Sequence, residues 1–468
     1  NKEFSCILFI RSPISSLARK FFSRQDVDQR VGSLRVFESP GKGVDMIRST
    51  QKHESFIHSG LDIGSNKICC AITEINPTSD SVKLLGIGTS PATGINKGSI
   101  THRDKLIDEM ENAFQQAQTM ADINIDNISL GISGDHVRGI NTQGAIAIGG
   151  TNGSNVPIQH EITNNDVSNV LELAKAISLP MDRDILHVLP QEYVIDSMDS
   201  IQDPVGLTGR RLEARVHLIT VATSAATNLA SCAEELGVRV DGIIYQGLAS
   251  SLSTLENDEK KLGVVCVDIG ASTTDIVVYL DGGVRHTSTI GIGAASITND
   301  IAVMLQIGID EAEKIKKTYG SAKASMSSPD LEFEVPAKNG GLKRNISEHE
   351  LSRYVEARTA EILQLVMREV AKADIKEKLT YGMVLTGGGS ELKNLVGLAQ
   401  ETINMPVRVG NPVNLSGAVD VASRPIYASA IGLAQWKIFG EDLSLIQKTG
   451  NTFKGAMGKF KKLVKEFF

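Results

Sequence analysis

The chain has 468 residues, 41% apolar and 22% charged, enough for two or more domains that each bury a core. Its net charge of −7 offers no electrostatic footprint for nucleic acid. The five cysteines are scattered or sit inside apolar runs without a Cys-x-x-Cys, which points to a reducing cytosol, and no apolar run is long enough for a membrane span.

Residues 1–55 do not fit the rest: the segment to Thr50 lacks sustained periodicity, and the run Cys6-Ile7-Leu8-Phe9-Ile10 is too short for a secretory signal core. Met46 stands just upstream of the first strand pattern, so 1–45 read as sequence upstream of the native start or as a disordered extension. A strand over 56–63 ends in Asp62-Ile63-Gly64-Ser65, and the apolar run resumes over 68–72, a strand–turn–strand hairpin. Glycine in such a turn lets the backbone approach a ligand, and successive N–H groups form an anion-binding nest. The Asp at the strand end is suited to hold water on a magnesium ion.

A strand over 84–87, a helix over 103–120 with Leu106, Met110, Ala113, Phe114 and Ala117 on one face, and a strand over 128–132 follow. From 134 to 211 the character changes. Short strands (144–148, 185–188, 193–195), a Gly/Asn-rich loop at 149–155 and a helix at 165–177 suggest an α/β insertion. The buried-type strand 216–221 is expected to return the chain to the first domain. A helix at 225–236, a strand at 240–244 and a small-residue helix at 247–255 lead into the second half.

There, 262–267 runs into Asp268-Ile269-Gly270-Ala271-Ser272 and resumes at 276–279, so the hairpin is made twice. A helical region over 296–319, a polar loop over 321–328, a short strand over 331–335 and a long helix over 348–373 come next. A strand then enters Gly387-Gly388-Gly389-Ser390 ahead of a helix-like stretch over 392–404, and a last helix spans 426–436. Three glycines at a strand-to-helix junction clear side chains from a flat ligand surface.

At the C-terminus Phe453, Met457, Phe460, Val464 and Phe467 fall on one helical face, with Lys454, Lys459, Lys461, Lys462 and Lys465 mainly elsewhere. That is the pattern of an interfacial amphipathic helix on anionic lipid, joined by a polar tether at 441–449. A solvated end and a helix docking on another protein are the other readings.

The ordered set of hairpin, hairpin and triple glycine resembles the phosphate and adenosine loops of the actin/Hsp70/sugar-kinase superfamily. Further stretches resemble the FtsA family of actin-like bacterial cell-division proteins: 186–193 (Leu-His-Val-Leu-Pro-Gln-Glu-Tyr), 203–209 (Asp-Pro-Val-Gly-Leu-Thr-Gly), 216–220, 247–251 and 285–287. The likeness runs from about 55 to 468. It implies an α/β, two-domain actin/Hsp70-like ATPase fold with an inserted subdomain, 1C, and a C-terminal amphipathic helix. Implied boundaries are 56–133, 212–260 and 411–440 for 1A, 134–211 for 1C, 261–298 and 379–410 for 2A, 299–378 for 2B and 450–468 for the membrane helix.

The resemblance also implies ATP and Mg2+ as ligands. Gly64, Ser65, Lys67, Gly270, Ser272 and Thr273 would meet the phosphates, Gly387, Gly388, Gly389 and Ser390 the adenosine, and Glu313 with Lys316 the ribose. Asp62 and Asp268 would hold magnesium through water. Gln246 stands where ATP-hydrolysing relatives carry a water-aligning group; it can orient water but not act as a base, so a slow ATPase or a nucleotide-gated switch is expected. Partners implied are the FtsZ C-terminal peptide at Arg344, Arg358 and Glu361, other copies in a filament, anionic lipids, and later division proteins through 1C. The location implied is peripheral, on the cytoplasmic face of the inner membrane at the septum. The residues themselves leave solvated charged helix faces open at Glu313/Lys316 and Arg358/Glu361. A sugar-kinase or chaperone-type ATPase and an actin-like adaptor of pilus or secretion machinery remain as alternatives to the division protein.

Overall fold

The structure, a computed structural model, describes residues 55–76, 82–149, 160–335 and 344–439. The expected N-terminal extension, the tether and the amphipathic helix lie outside the described residues.

Two sheets share one plan. In the first, Arg239–Tyr245, Asn127–Ile132, Phe56–Ile63, Lys67–Ile75 and Val82–Pro91 lie side by side, with Leu415–Gly417 added beyond the last. In the second, the order is Val407–Val409, Met383–Thr386, Val264–Ile269, Thr274–Leu280 and Gly283–Ile290. Each is an antiparallel three-strand meander continued by two parallel strands. Val264–Ile269 is buried at all six positions, which explains why it reads as an unbroken apolar run rather than an alternating one.

The insertion is a four-stranded antiparallel sheet, ordered Met198–Ile201, Arg183–Ile195, Arg211–Ala222 and Arg138–Ala147, under the helix Asn164–Lys175. Val170, Leu171 and Ala174 of that helix pack with Leu212, Ala214, Val216 and Leu218 in a core of their own. Two expectations are corrected here. The strand at 216–221 does not return the chain to the first sheet; it is the centre of the inserted one, paired on both sides. The short strands at 185–188 and 193–195 are one strand of 13 residues. Its register slips twice against Arg211–Ala222, which breaks the two-residue periodicity that marks a strand in sequence.

Three helices, Ala294–Leu305, Ile309–Tyr319 and Glu348–Ala371, pack with the hairpin Glu332–Val335/Arg344–Ser347 as a small satellite of the second sheet. The helical region expected at 296–319 is made of two helices, because Gln306 turns left-handed (φ 55°) and Gly308 caps the second. The linking helix Gln246–Thr254 and the last helix Ala428–Phe439 cross almost backbone to backbone. A Cβ at Gly432 would stand 1.8 Å from the Ala249 carbonyl oxygen. Their small residues are therefore required by close approach between elements that join the two halves.

Candidate nucleotide cleft

Both glycine hairpins close in the same way. The Gly64 N–H donates to the Lys67 carbonyl at 3.1 Å, and the Gly270 N–H to the Thr273 carbonyl at 2.9 Å. A Cβ at Gly64 would meet that same carbonyl oxygen at 2.9 Å, closer than side chains tolerate, and one at Gly270 would meet its own at 3.0 Å, tighter than most Cβ contacts. The two turns line one cleft of about 490 Å³, with Ser65, Asn66, Lys67, Thr273, Gly387, Gly388 and Gly389. Gly387 has φ 78°, and a Cβ there would lie 2.1 Å from Asp268 Oδ1, so backbone conformation and space both demand glycine.

Three carboxylates, Asp62, Asp268 and Asp275, line the cleft. Gln246 Nε2 donates to Asp62 Oδ1 at 2.6 Å and to the Ile63 carbonyl at 3.2 Å. Both partners are acceptors, so the amide orientation is fixed and its oxygen is the end left for water. Ser429 Oγ donates to Asp268 Oδ2 at 2.7 Å. Ser133 and Thr289 donate to Asp275 Oδ1 at 2.7 and 2.6 Å. Loss of water raises all three carboxyls: Asp62 to about 6, despite Lys67 pulling it down, and Asp275 to about 7 with help from Asp268. Asp268 is raised too, chiefly by burial and against its hydrogen bonds from Ser429 and Ser250. Lys67, the nearest cation, bonds the Ile426 carbonyl at 2.8 Å and lies 4.8 Å over the Tyr427 ring.

Among the described residues no group of three or more His, Cys, Asp or Glu side chains could hold a metal ion directly. Carboxylates that line the cleft without converging could hold only a cation that keeps its own water, as magnesium does.

The structure brings together most of the residues singled out from sequence, with exceptions. Ser272 and Ser390 do not line the cleft: Ser272 Oγ turns to Asn96 Oδ1 (3.3 Å), and Ser390 is buried with its hydroxyl on the Gly387 carbonyl (2.7 Å). Glu313 and Lys316 line it but are tied to each other at 2.6 Å, and Lys316 also bonds Thr298 Oγ1 at 2.9 Å. Burial raises Glu313, yet the bonds from Lys316 and Thr298 win and hold it below its ordinary value, while burial lowers Lys316 against its bond to Glu313. Sequence reading missed Asp275, Ser429 and Arg424, which also line the cleft. A charge inside the apolar run 274–279 was the signal for Asp275; nothing local marks Ser429.

On the satellite, Arg358 grips Asp300 through two bonds of 2.5 and 2.9 Å and also bonds Glu361 at 2.5 Å. The guanidinium expected to await a peptide is thus already paired within the protein. Arg344 opens the hairpin strand opposite Val335.

A family profile described as "SHS2 domain inserted in FTSA" matches residues 134–220, the span of the inserted sheet, and one described as "Cell division protein FtsA" matches 265–432. The cell division protein FtsA of Pseudomonas aeruginosa PAO1 is 38% identical over 378 residues, covering 81% of this chain and 88% of its own length. That of Escherichia coli K12 is 36% identical over 398 residues, covering 84% and 92%. The chain belongs to the FtsA family. Its fold is accordingly the actin-like two-domain α/β fold with an inserted SHS2 domain, as the loops implied. Among solved structures, the PilM–PilN type IV pilus biogenesis complex aligns over 81% of this chain and 98% of its own, with a TM-score of 0.58 at 16% identity. That likeness is one of fold alone. FtsA membership rules out the sugar-kinase, chaperone and pilus alternatives left open by the cleft loops. Among the described residues no helix is long and apolar enough to cross a membrane.

Proposed function

We propose that this FtsA-family chain binds Mg·ATP in the cleft, polymerises on the cytoplasmic membrane face and ties FtsZ filaments to it. The observation that carries the nucleotide reading is the pair of matching glycine turns facing one another across three carboxylates and Lys67. Backbone N–H groups of the two turns and Lys67 bind phosphate oxygens from opposite sides. Asp62 and Asp268 would hold the water of a magnesium ion, whose charge would offset that of the phosphates, and Gln246 would turn its free oxygen to a water near Asp62. Gln246 cannot take a proton, so turnover is slow and nucleotide occupancy acts mainly as a switch.

The anchor is the amphipathic segment 450–468, which lies outside the described residues. Five large apolar side chains give roughly 5–10 kcal/mol before ordering costs, and each lysine adds about 1 kcal/mol near anionic lipid. One copy is a weak anchor, and a filament of copies is a strong one. Later division proteins dock on the inserted subdomain in this reading.

Gly388→Asp tests the cleft. Nothing lies closer than 3.5 Å to a Cβ there, so the variant folds while placing a carboxylate in the cleft. Mg·ATP binding by calorimetry is expected to disappear in this variant and in Asp268→Ala. Unchanged affinity in both would overturn the reading.

A further inference from the structure

Leu186–Tyr193 and His217 take no part in the cleft, yet the fold sets them where the inserted sheet meets both halves. Pro190 pairs with Val216 and Glu192 with Arg215, leaving Gln191 over as a bulge. A bulge re-aims its side chain. Gln191 Nε2 donates to the Val284 carbonyl at 2.8 Å, and Asn141 Nδ2 to the Arg285 carbonyl at 3.1 Å, both on the edge strand of the second sheet. His217 is clamped beside them, with Nδ1 2.6 Å from Asn141 Oδ1 and Nε2 2.8 Å from Thr287 Oγ1. An amide oxygen only accepts, so Nδ1 carries the proton and Nε2 accepts from the threonine.

His187 reaches the other half. It is 2% exposed and stacks at a tilt 5.4 Å from Trp436. Its Nε2 accepts the Tyr245 backbone N–H at 3.1 Å. Tyr245 is the N-cap of the linking helix, and the next residue is Gln246, whose amide holds Asp62. The Tyr245 hydroxyl meanwhile bonds the Ser288 carbonyl at 2.9 Å and lies 3.1 Å from Thr289 Oγ1, the group that also holds Asp275. The first N–H groups of a helix have no partner within it, so an external acceptor there fixes where the helix begins.

We propose that His187, from the inserted subdomain, is a positioning residue of the nucleotide cleft: by accepting the Tyr245 N–H it sets the start of the linking helix so that Gln246 meets Asp62. The inserted subdomain is then part of the nucleotide machinery, and whatever binds it is energetically linked to nucleotide through this contact. The proposal rests on the nucleotide reading above.

The test compares wild type, His187→Leu, His187→Gln, Gln246→Ala and the His187→Leu/Gln246→Ala double variant in the full chain. Mg·ATP affinity is read by calorimetry and hydrolysis by single turnover. Losing a buried acceptor weakens Mg·ATP roughly 10-fold in His187→Leu, while His187→Gln, whose amide oxygen sits where Nε2 stood, stays within about twofold of wild type. In the Gln246→Ala background, His187→Leu changes nothing further, because the residue it acts through is gone. Wild-type affinity in His187→Leu, or effects that simply add to those of Gln246→Ala, would overturn the proposal. If His187→Leu does not fold, His187→Gln is set against His187→Asn, whose amide falls short of Tyr245; equal affinity in those two overturns it as well. Wild-type protein without affinity for Mg·ATP would overturn the nucleotide reading itself, and the positioning role with it.

Discussion

Asp275→Asn is expected to make the nucleotide-free protein more stable at pH 8. Asp275 is 4% exposed, and burial together with Asp268 raises its carboxyl to about 7 from an ordinary 3.8. A raised carboxyl binds its proton more tightly in the folded state, so its stabilising contribution is whole below pH 3.8 and is lost as pH climbs through 7. At pH 8 the ionised folded state therefore carries a penalty of about 4 kcal/mol, and at pH 5 one of less than about 2 kcal/mol. Asparagine keeps the Oδ1 acceptor that both Ser133 and Thr289 use, so the charge is removed and the two hydrogen bonds remain. Urea unfolding with EDTA present, followed by circular dichroism, measures the effect. The variant's midpoint should exceed wild type clearly at pH 8 and by less than half as much at pH 5. Equal midpoints at pH 8, or a gap of the same size at both pH values, would refute the assignment of a desolvated acid here. The same substitution should weaken Mg·ATP binding, the common exchange of stability for function at a charged cleft.

Gly387→Ala should lower stability by about 1–3 kcal/mol, from the left-handed backbone and the displaced Asp268, and weaken Mg·ATP on calorimetry; wild-type values for both would show that the glycine is dispensable. Arg358→Glu would place a third carboxylate beside Asp300 and Glu361, so Arg358→Gln is the cleaner test of peptide docking. Arg358→Gln should weaken an FtsZ-tail peptide in fluorescence anisotropy while liposome binding persists, and retained peptide affinity would place the groove elsewhere. Phe460→Glu with Val464→Glu should move the protein to the supernatant in co-sedimentation with anionic liposomes, because a carboxylate on the apolar face opposes insertion by desolvation and by repulsion. Mg·ATP affinity should not change, and double-Glu protein that still sediments with the vesicles would show that another surface holds it.

Much of this architecture is written in local pattern. The two Asp-x-Gly hairpins, the triple glycine, the helix face of Leu106, Met110, Ala113, Phe114 and Ala117, and the small residues of the linking helix each follow from short-range rules, and the fold places them as expected. Such features are legible because turn geometry and side-chain periodicity depend on residues only a few positions apart. In sequence the long strand Arg183–Ile195 looks like two pieces because its bulges shift the side-chain alternation, and a bulge is defined by a partner strand that the local pattern does not contain.

Pairings across large sequence separation come from the folded chain alone. Asp275 meets Ser133, Asp268 meets Ser429, Arg358 is claimed by Asp300, and His187 meets the backbone of Tyr245. Each is a polar group whose role depends on what desolvates it and what answers its hydrogen bond. Composition and spacing mark which residues can do chemistry. Burial and the partner brought in by the fold decide whether a carboxylate waits for a cation, an arginine for a peptide, or neither.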